Sequence, residues 1–104
     1  MVAAHNRVRL DLNGPEFQEV LCQLEPSEWK QVAASLRRLR GLDWSELYRH
    51  TAFHWEAIEH LKAPNAGKVS SLRLSLRVRA LAFRDGDFLR FLSLHSDHDP
   101  ASKK

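Results

Sequence analysis

Imidazoles and carboxylates gather near the end of this 104-residue chain, where His95, Asp97, His98 and Asp99 follow an alternating apolar run. Histidine is the side chain that most readily exchanges a proton near neutral pH, and a carboxylate can orient an imidazole or accept a proton. The same residue types are zinc ligands, although no second cluster of ligands lies elsewhere in the chain. Three interpretations are therefore open: an acid–base site, a metal site, which is the least favoured, or a solvated polar tail.

A second group of candidate residues is basic. Arg73, Arg77 and Arg79 alternate with apolar residues in the stretch SLRLSLRVRALAF, so on an unbroken strand they share one face. Residues two apart on a strand are separated by about 7 Å, and guanidinium groups at that spacing can grip neighbouring phosphate oxygens. The solvated face of a half-buried sheet produces the same alternation. The pattern alone therefore leaves a phosphate site and an ordinary sheet surface as alternatives.

The charge distribution favours an anionic partner. The chain is 43% hydrophobic and 28% charged, as in ordinary globular domains, with a formal charge of +3. Positive charge is concentrated late, because residues 68–104 contain eight Lys and Arg against four Asp. Arg37, Arg38 and Arg40 form a further basic run, which we assign to the solvated flank of a helix, with a phosphate contact as the alternative.

The cysteine content and the lengths of the apolar runs indicate where in the cell the protein is located. Cys22 is the single cysteine, so no intrachain disulfide can form, and its place in an apolar stripe predicts burial. This cysteine usage suits a reducing cytoplasm, and we expect a cytoplasmic protein. No stretch contains the ~20 apolar residues of a membrane span, so neither a membrane nor a lipid is an expected partner.

Periodicity predicts the elements that must position these residues. RVRLDL alternates as a strand does, and two amphipathic helices follow, which begin near Pro15 and Pro26. Gly41 is a plausible end of the second helix, whose apolar stripe begins at Trp29. The stretch DWSELYRH predicts a short helical turn capped by Asp43, whereas FHWEAIEHL fits a strand or a helix.

The second half predicts antiparallel strands. The alternation after Ser70 is too long for one strand, so we expect a reversal near Ser75–Arg77, and RDGD predicts a hairpin turn. The order of an N-terminal strand, a two-helix hairpin and a C-terminal antiparallel sheet predicts an α+β fold. We expect one domain over residues 1–104, with 100–104 as a flexible tail. The predicted core includes Leu21, Leu36, Leu74, Val78, Ala80 and Leu92.

The strand RLSLRVRALAFRDGD and the following FLRFLSLH resemble the RelE/ParE superfamily of bacterial toxins. In that superfamily a strand with a Tyr-Arg-Val-like element runs into an acidic turn and the next strand. Here VRALAFRDGD matches this element, with Val78 at the aromatic position and Arg79 at the arginine. The resemblance implies the toxin of a type II toxin–antitoxin pair, with a small cognate antitoxin as partner. RelE-like members cleave messenger RNA on the ribosome, and ParE-like members poison DNA gyrase.

RelE-like cleavage by attack of a ribose 2′-hydroxyl needs a base, an acid and cations near the phosphate, with no metal or cofactor. From their chemistry and spacing, Arg79, His95 and His98 are predicted to be catalytic, and Arg73 and Arg77 are predicted to bind the RNA phosphates. The resemblance supports Arg79 and His95 more than the others. A ParE-like toxin that cuts nothing and an inactive binding module are the alternatives.

One departure from the family concerns tyrosine. Many RelE-like nucleases carry a tyrosine close to the C-terminus, whereas the single tyrosine here is Tyr48. A histidine would then have to supply the proton chemistry. Counted from the RDGD turn, Arg79 is predicted opposite Leu92, with His95 three residues further, about 10 Å along the strand.

Overall fold

Three helices pack against a five-stranded sheet in the computed structural model, which describes residues 6–97. The predicted α+β class is confirmed. His98 and the predicted tail, residues 100–104, lie outside the described residues. The elements are β1 (Arg9–Asp11), α1 (Pro15–Leu21), α2 (Pro26–Arg40), α3 (Trp44–Arg49), β2 (Glu56–Lys62), β3 (Lys68–Arg73), β4 (Val78–Asp85) and β5 (Phe88–Ser96).

The sheet has the strand order β1-β5-β4-β3-β2. β2 to β5 pair antiparallel in sequence order, and the three-residue β1 pairs parallel with β5. The stretch FHWEAIEHL, which fitted a strand or a helix, contributes the edge strand β2. The predicted reversal at Ser75–Arg77 is confirmed, because β3 ends at Arg73 and β4 begins at Val78.

The short helix α1 packs on β5 through aromatic contact. Phe17 is fully buried, and its ring centroid lies 4.8 Å from that of Phe91. Pro15 is the first helical residue, where a missing N–H costs nothing. A Cβ on the preceding Gly14 would lie 2.6 Å from the Phe91 carbonyl oxygen, so only glycine allows this approach. The sequence NGP therefore both ends β1 and brings α1 onto the sheet.

The buried face of α2 differs slightly from the predicted one. Val32, Leu36 and Leu39 are buried as their spacing predicts, but Trp29 is 45% exposed and Glu28 is buried in its place. Because adjacent residues lie about 100° apart around the axis, Glu28 and Trp29 lie at opposite edges of this buried stripe, and the fold covers the edge with Glu28. Within residues 6–97, no helix is both long and apolar enough to cross a membrane.

Three burial predictions are corrected, two of them near the end of α1. Cys22 is exposed, because α1 ends at Leu21 and Cys22 is its C-terminal cap rather than part of a continuing apolar stripe. Leu21 is half-buried for the same reason, and Leu92 is half-buried beside a second, smaller apolar cluster. The remaining predicted core residues, Leu36, Leu74, Val78 and Ala80, are buried.

The predicted cap of α3 is confirmed. The Asp43 carboxylate accepts a hydrogen bond from the Glu46 backbone N–H at 2.8 Å, and the Glu46 carboxylate accepts one from the Asp43 N–H at 2.9 Å. The backbone donor of Glu46 and the Ser45 hydroxyl hold the pKa of Asp43 below its usual value. This reciprocal bonding satisfies donors at the helix start that would otherwise be open.

The two faces of the sheet differ in what covers them. Val78, Ala80 and Ala82 of β4 belong to the main core with the helices. Because side chains alternate along a strand, Arg79, Leu81 and Phe83 point to the opposite face. Val69, Ala63 and Phe83 form the second apolar cluster there, and we call this side of the sheet the distal face.

Candidate functional site

Three predicted site residues meet across three neighbouring strands at one end of the distal face. Arg73 of β3 pairs with Arg79 of β4, and Arg79 pairs with His95 of β5. Residues directly opposite each other in an antiparallel pair point to the same face, with Cβ atoms about 4.5–5.5 Å apart. We call Arg73, Arg79 and His95 the arginine–histidine row.

The predicted separation of Arg79 and His95 was wrong, and the turn accounts for most of the error. Arg84 pairs with Leu89 rather than with Asp87, because Gly86 and Asp87 are the two central residues of the hairpin. Gly86 has φ of +64°, a conformation that glycine adopts without strain. This turn shifts the pairing of β4 by two residues along β5.

A β-bulge supplies the remaining residue of the shift. The register changes between Leu81 and the next residue of β4, so that Leu81 pairs with Ser93 and Leu92 is left over. A bulge inserts one unpaired residue into one strand and moves every later pair by one position. Together the turn and the bulge place His95, instead of Leu92, opposite Arg79.

Positive charge in the row is not balanced by neighbouring acids. Arg73 is half-buried, and Arg79 and His95 are exposed. Among residues 6–97, no carboxylate forms an ion pair with Arg73 or Arg79. Like charges directly opposite each other on a sheet are destabilising. The row is therefore suited to an anion, which would relieve this repulsion and accept hydrogen bonds from both guanidinium groups.

Ser93 is a site residue that sequence reasoning missed. Its Oγ lies 2.9 Å from Nε2 of His95, and the direction of this hydrogen bond depends on the tautomer of the imidazole. The two residues are two apart on β5 and share a face, so the hydroxyl can fix the orientation of the ring. The i, i+2 spacing of Ser93 and His95 in FLSLHS was the signal that could have identified the pair.

Arg77 lies outside the paired row. The premise that Arg73, Arg77 and Arg79 occupy one unbroken strand was wrong, since Arg77 is in the β3–β4 turn. Its carbonyl accepts a hydrogen bond from the Asp97 N–H at 3.0 Å, which continues the β4–β5 ladder by one step. Its backbone thus adjoins the end of β5. Because His98 is not among the described residues, its predicted role stays a prediction.

A metal centre was the rival interpretation of the final polar stretch. Within the described part of the chain, His, Cys, Asp and Glu form no group of three that could hold a metal ion. His95 and Asp97 are described, whereas their sequence neighbours His98 and Asp99 are not.

The other end of the distal face holds an arginine in contrasting surroundings. Arg90 Nε lies 2.9 Å from Asp85 Oδ2, and its terminal nitrogen contacts Asp11 Oδ2 at 2.5 Å. We call these three residues the arginine–carboxylate cluster. Hydrogen bonds from the Asn13 backbone and from Arg90 hold the pKa of Asp11 below its usual value. The hydrogen bonds to Asp85 and Asp11 raise the pKa of Arg90 in turn.

Comparisons by sequence and by structure give different outcomes. No protein-family model matches the sequence, and no curated protein matches it. The fold aligns with the crystal structure of a copper-bound mutant toxin from Helicobacter pylori, with 20% sequence identity and a TM-score of 0.43. The alignment covers 90% of this chain and 97% of that one. A similarity of this size identifies no family for this protein.

Proposed function

We propose that this protein is a RelE-like endoribonuclease toxin of a type II toxin–antitoxin pair, which cleaves messenger RNA on the ribosome in the cytoplasm. One observation carries the proposal: Arg79 lies directly opposite His95, with Arg73 on the other side of Arg79. A phosphate-binding cation and a proton-exchanging group thus occupy adjacent positions on an exposed part of the sheet. The resemblance of the β4–turn–β5 sequence to the superfamily supports the same assignment.

The proposed reaction is an attack of the ribose 2′-oxygen on the adjacent phosphorus. The 2′-hydroxyl loses its proton, the bond from phosphorus to the 5′-oxygen breaks, and that oxygen gains a proton, which leaves a 2′,3′-cyclic phosphate. Arg79 and Arg73 would bind the phosphate oxygens as negative charge develops on them. His95 would carry one of the two proton transfers, held in place by Ser93.

Cleavage of ribosome-bound messenger RNA by the purified chain tests this proposal. Arg79→Ala and His95→Ala should each lower the cleavage rate by about 10²-fold or more, as expected for a lost charge-stabilising or proton-transferring group. Arg79→Lys should recover little activity, because an ammonium group cannot form two parallel hydrogen bonds to one phosphate. Arg40→Ala and His60→Ala are matched controls, since both residues are exposed and lie outside the row.

Circular dichroism must show that all variants fold. Cleavage at the unmodified rate by His95→Ala would remove His95 from the mechanism. Toxicity in cells without cleavage by the unmodified chain would exclude the nuclease assignment as a whole.

The proposed partner is a small antitoxin encoded beside this chain. An acidic, partly disordered segment of it would cover Arg73, Arg77 and Arg79. Within residues 6–97, no carboxylate forms an ion pair with Arg73 or Arg79. Co-expression with the neighbouring gene should give a complex that co-purifies at low salt and weakens as the salt concentration rises. Failure of the two chains to co-purify would contradict this part of the proposal.

One observation favours the ParE-like alternative, a toxin that binds DNA gyrase and cuts nothing. Among residues 6–97, the row contains a single side chain that readily exchanges a proton near neutrality, His95, whereas the proposed reaction moves two protons. Toxicity that survives the simultaneous replacement of His95 and His98 by alanine would support this alternative.

A further inference from the structure

A pocket opens beside the arginine–histidine row, between α2 and the β3–β4 turn. Its volume is about 200 Å³, and half of its lining residues are apolar, namely Ala52, Phe53, Leu74 and Leu76. The other half are polar or basic, namely Ser35, Arg38, Arg73 and Ser75. Two hydrogen bonds hold its walls together, because the Ser35 hydroxyl donates to the Leu74 carbonyl and the Arg73 N–H donates to the Phe53 carbonyl. Helix α2 and strand β3 therefore present their side chains to a common, fixed cavity.

The chemistry of the lining favours an anion. Arg38 and Arg73 contribute two positive charges, and none of the described lining residues is acidic. The Arg38 guanidinium carbon lies 5.8 Å from the centre of the Phe53 ring, a contact that keeps the group at the pocket without neutralising it. Within the described chain, Arg38 has no ion-pair partner.

The size of the pocket limits what can occupy it. Sites for complete small-molecule ligands usually enclose about 300–1,000 Å³, so this pocket is suited to one group of a larger ligand. A phosphate group matches both the volume and the two guanidinium forks, which bind phosphate oxygens in pairs.

Arg73 connects the pocket to the candidate site. It lines the pocket, and it also lies opposite Arg79, whose other neighbour is His95. Neighbouring strands are about 4.8 Å apart, so the row extends for roughly 10 Å across the sheet and ends at the pocket. Arg73 is thus common to the pocket and the row, with the row on the distal face and α2 on the opposite face, at the same β3–β4 end of the sheet.

We propose that this pocket binds a backbone phosphate of RNA next to the phosphate that the row would bind, with Arg38 as its principal ligand. The inference rests on the proposed function, and it adds a direction: the RNA crosses β5, β4 and β3 on the distal face and then passes the β3–β4 turn to reach α2 on the other face. Arg38 is a binding residue in this arrangement and takes no part in the proton transfers. Of the three arginines assigned to the solvated flank of α2, Arg38 then contacts a phosphate, whereas Arg37 and Arg40 keep the original assignment.

The test is binding of a mixed-sequence 2′-O-methyl RNA oligonucleotide, which cannot undergo 2′-hydroxyl attack. Arg38→Ala is compared with Arg40→Ala, which removes the same charge from the same helix outside the pocket. Arg38→Ala should weaken binding by about tenfold, the loss expected of one charge-assisted hydrogen bond. It should also reduce the slope of log affinity against log salt by about 0.7, the value for one lost phosphate contact on a single strand.

Each outcome distinguishes the inference from the function on which it rests. Equal affinities and equal slopes for Arg38→Ala and Arg40→Ala would overturn the pocket assignment while leaving the nuclease proposal intact. A loss of antitoxin binding by Arg38→Ala with unchanged RNA binding would assign the pocket to a protein partner and also overturn it. Failure of the unmodified chain to bind the oligonucleotide would overturn the pocket assignment, whereas the nuclease proposal is tested separately by cleavage of ribosome-bound messenger RNA. If Arg38→Ala proves unfolded by circular dichroism, Arg38→Lys should keep the salt slope but bind more weakly than Arg40→Lys.

Discussion

Arg90 donates to two carboxylates, those of Asp11 and Asp85, whereas Arg79 faces a second arginine at the other end of the same sheet face. Both residues lie on the antiparallel β4–β5 hairpin and on its distal side. They have the same side-chain chemistry and similar strand positions. The charges around them nevertheless differ in sign, because Arg90 contacts two carboxylates and Arg79 lies between an arginine and a histidine.

The difference separates an arginine that holds the fold together from one that is available to a ligand. The arginine–carboxylate cluster joins β1 to the hairpin, and β1 is a three-residue edge strand that pairs with β5. The row instead keeps two like charges in register, which costs stability. Proteins tolerate such costs mainly where the arrangement serves binding or catalysis.

The largest effect is expected from converting the row into a copy of the cluster. Arg73→Glu places a carboxylate opposite Arg79, so the repulsive pair becomes an ion pair. RNA cleavage should fall by about 10²-fold, because the phosphate would lose one cation and meet a negative charge. The free energy of unfolding in urea should stay constant or rise by about 0.2–1 kcal/mol, the range for a cross-strand pair.

Arg73→Gln is the control for this change, since it removes the repulsion without adding a carboxylate. The rates of RNA cleavage by Arg73→Gln and Arg73→Glu should be similar, whereas their free energies of unfolding should differ more. A clear loss of stability in both variants would mean that Arg73 supports the fold, and the contrast between the two ends of the sheet would fail.

A smaller effect is expected in double-mutant cycles measured by urea unfolding. The cycle of Arg73→Gln and Arg79→Gln should give an unfavourable coupling of about 0.2–1 kcal/mol in the unmodified protein, which declines as salt screens the charges. The cycle of Asp11→Asn and Arg90→Gln should give a coupling of the opposite sign. Couplings of the same sign in both cycles would remove the distinction between the clusters.

The sequence predicted the elements of this site better than their register. Alternation and the RDGD turn were enough to find β4 and β5, because a two-residue period and Asp-Gly are strong local signals. The pairing of Arg79 with His95 was missed. It depends on which two residues form the turn and on the bulge at Leu92, and the alternating pattern specifies neither.

The same limit explains the errors around the helices. Local spacing placed Val32, Leu36 and Leu39 in the core, but it could not show that Glu28 is buried and Trp29 exposed, since tertiary contacts decide which edge of a helical stripe is covered. The arginine–carboxylate cluster could not be predicted from local sequence either. Asp11 and Arg90 are 79 residues apart, and only the parallel pairing of β1 with β5 brings them together.

The smallest effect is expected in the acid dependence of stability. The Asn13 N–H and the Arg90 guanidinium hydrogen-bond to the Asp11 carboxylate and lower its pKa, so the folded state holds this proton less tightly than the unfolded chain does. The resulting stability is fully present above the ordinary aspartate range, near pH 4, and is lost as the pH falls through the lowered pKa. Asp11→Asn should therefore reduce the slope of the urea midpoint against pH below about pH 5, whereas Arg79→Gln should keep the slope of the unmodified protein because no described carboxylate pairs with Arg79. A slope reduced equally by both variants would show that Arg79 also interacts with an acid, and the distinction between the two arginines would then be lost.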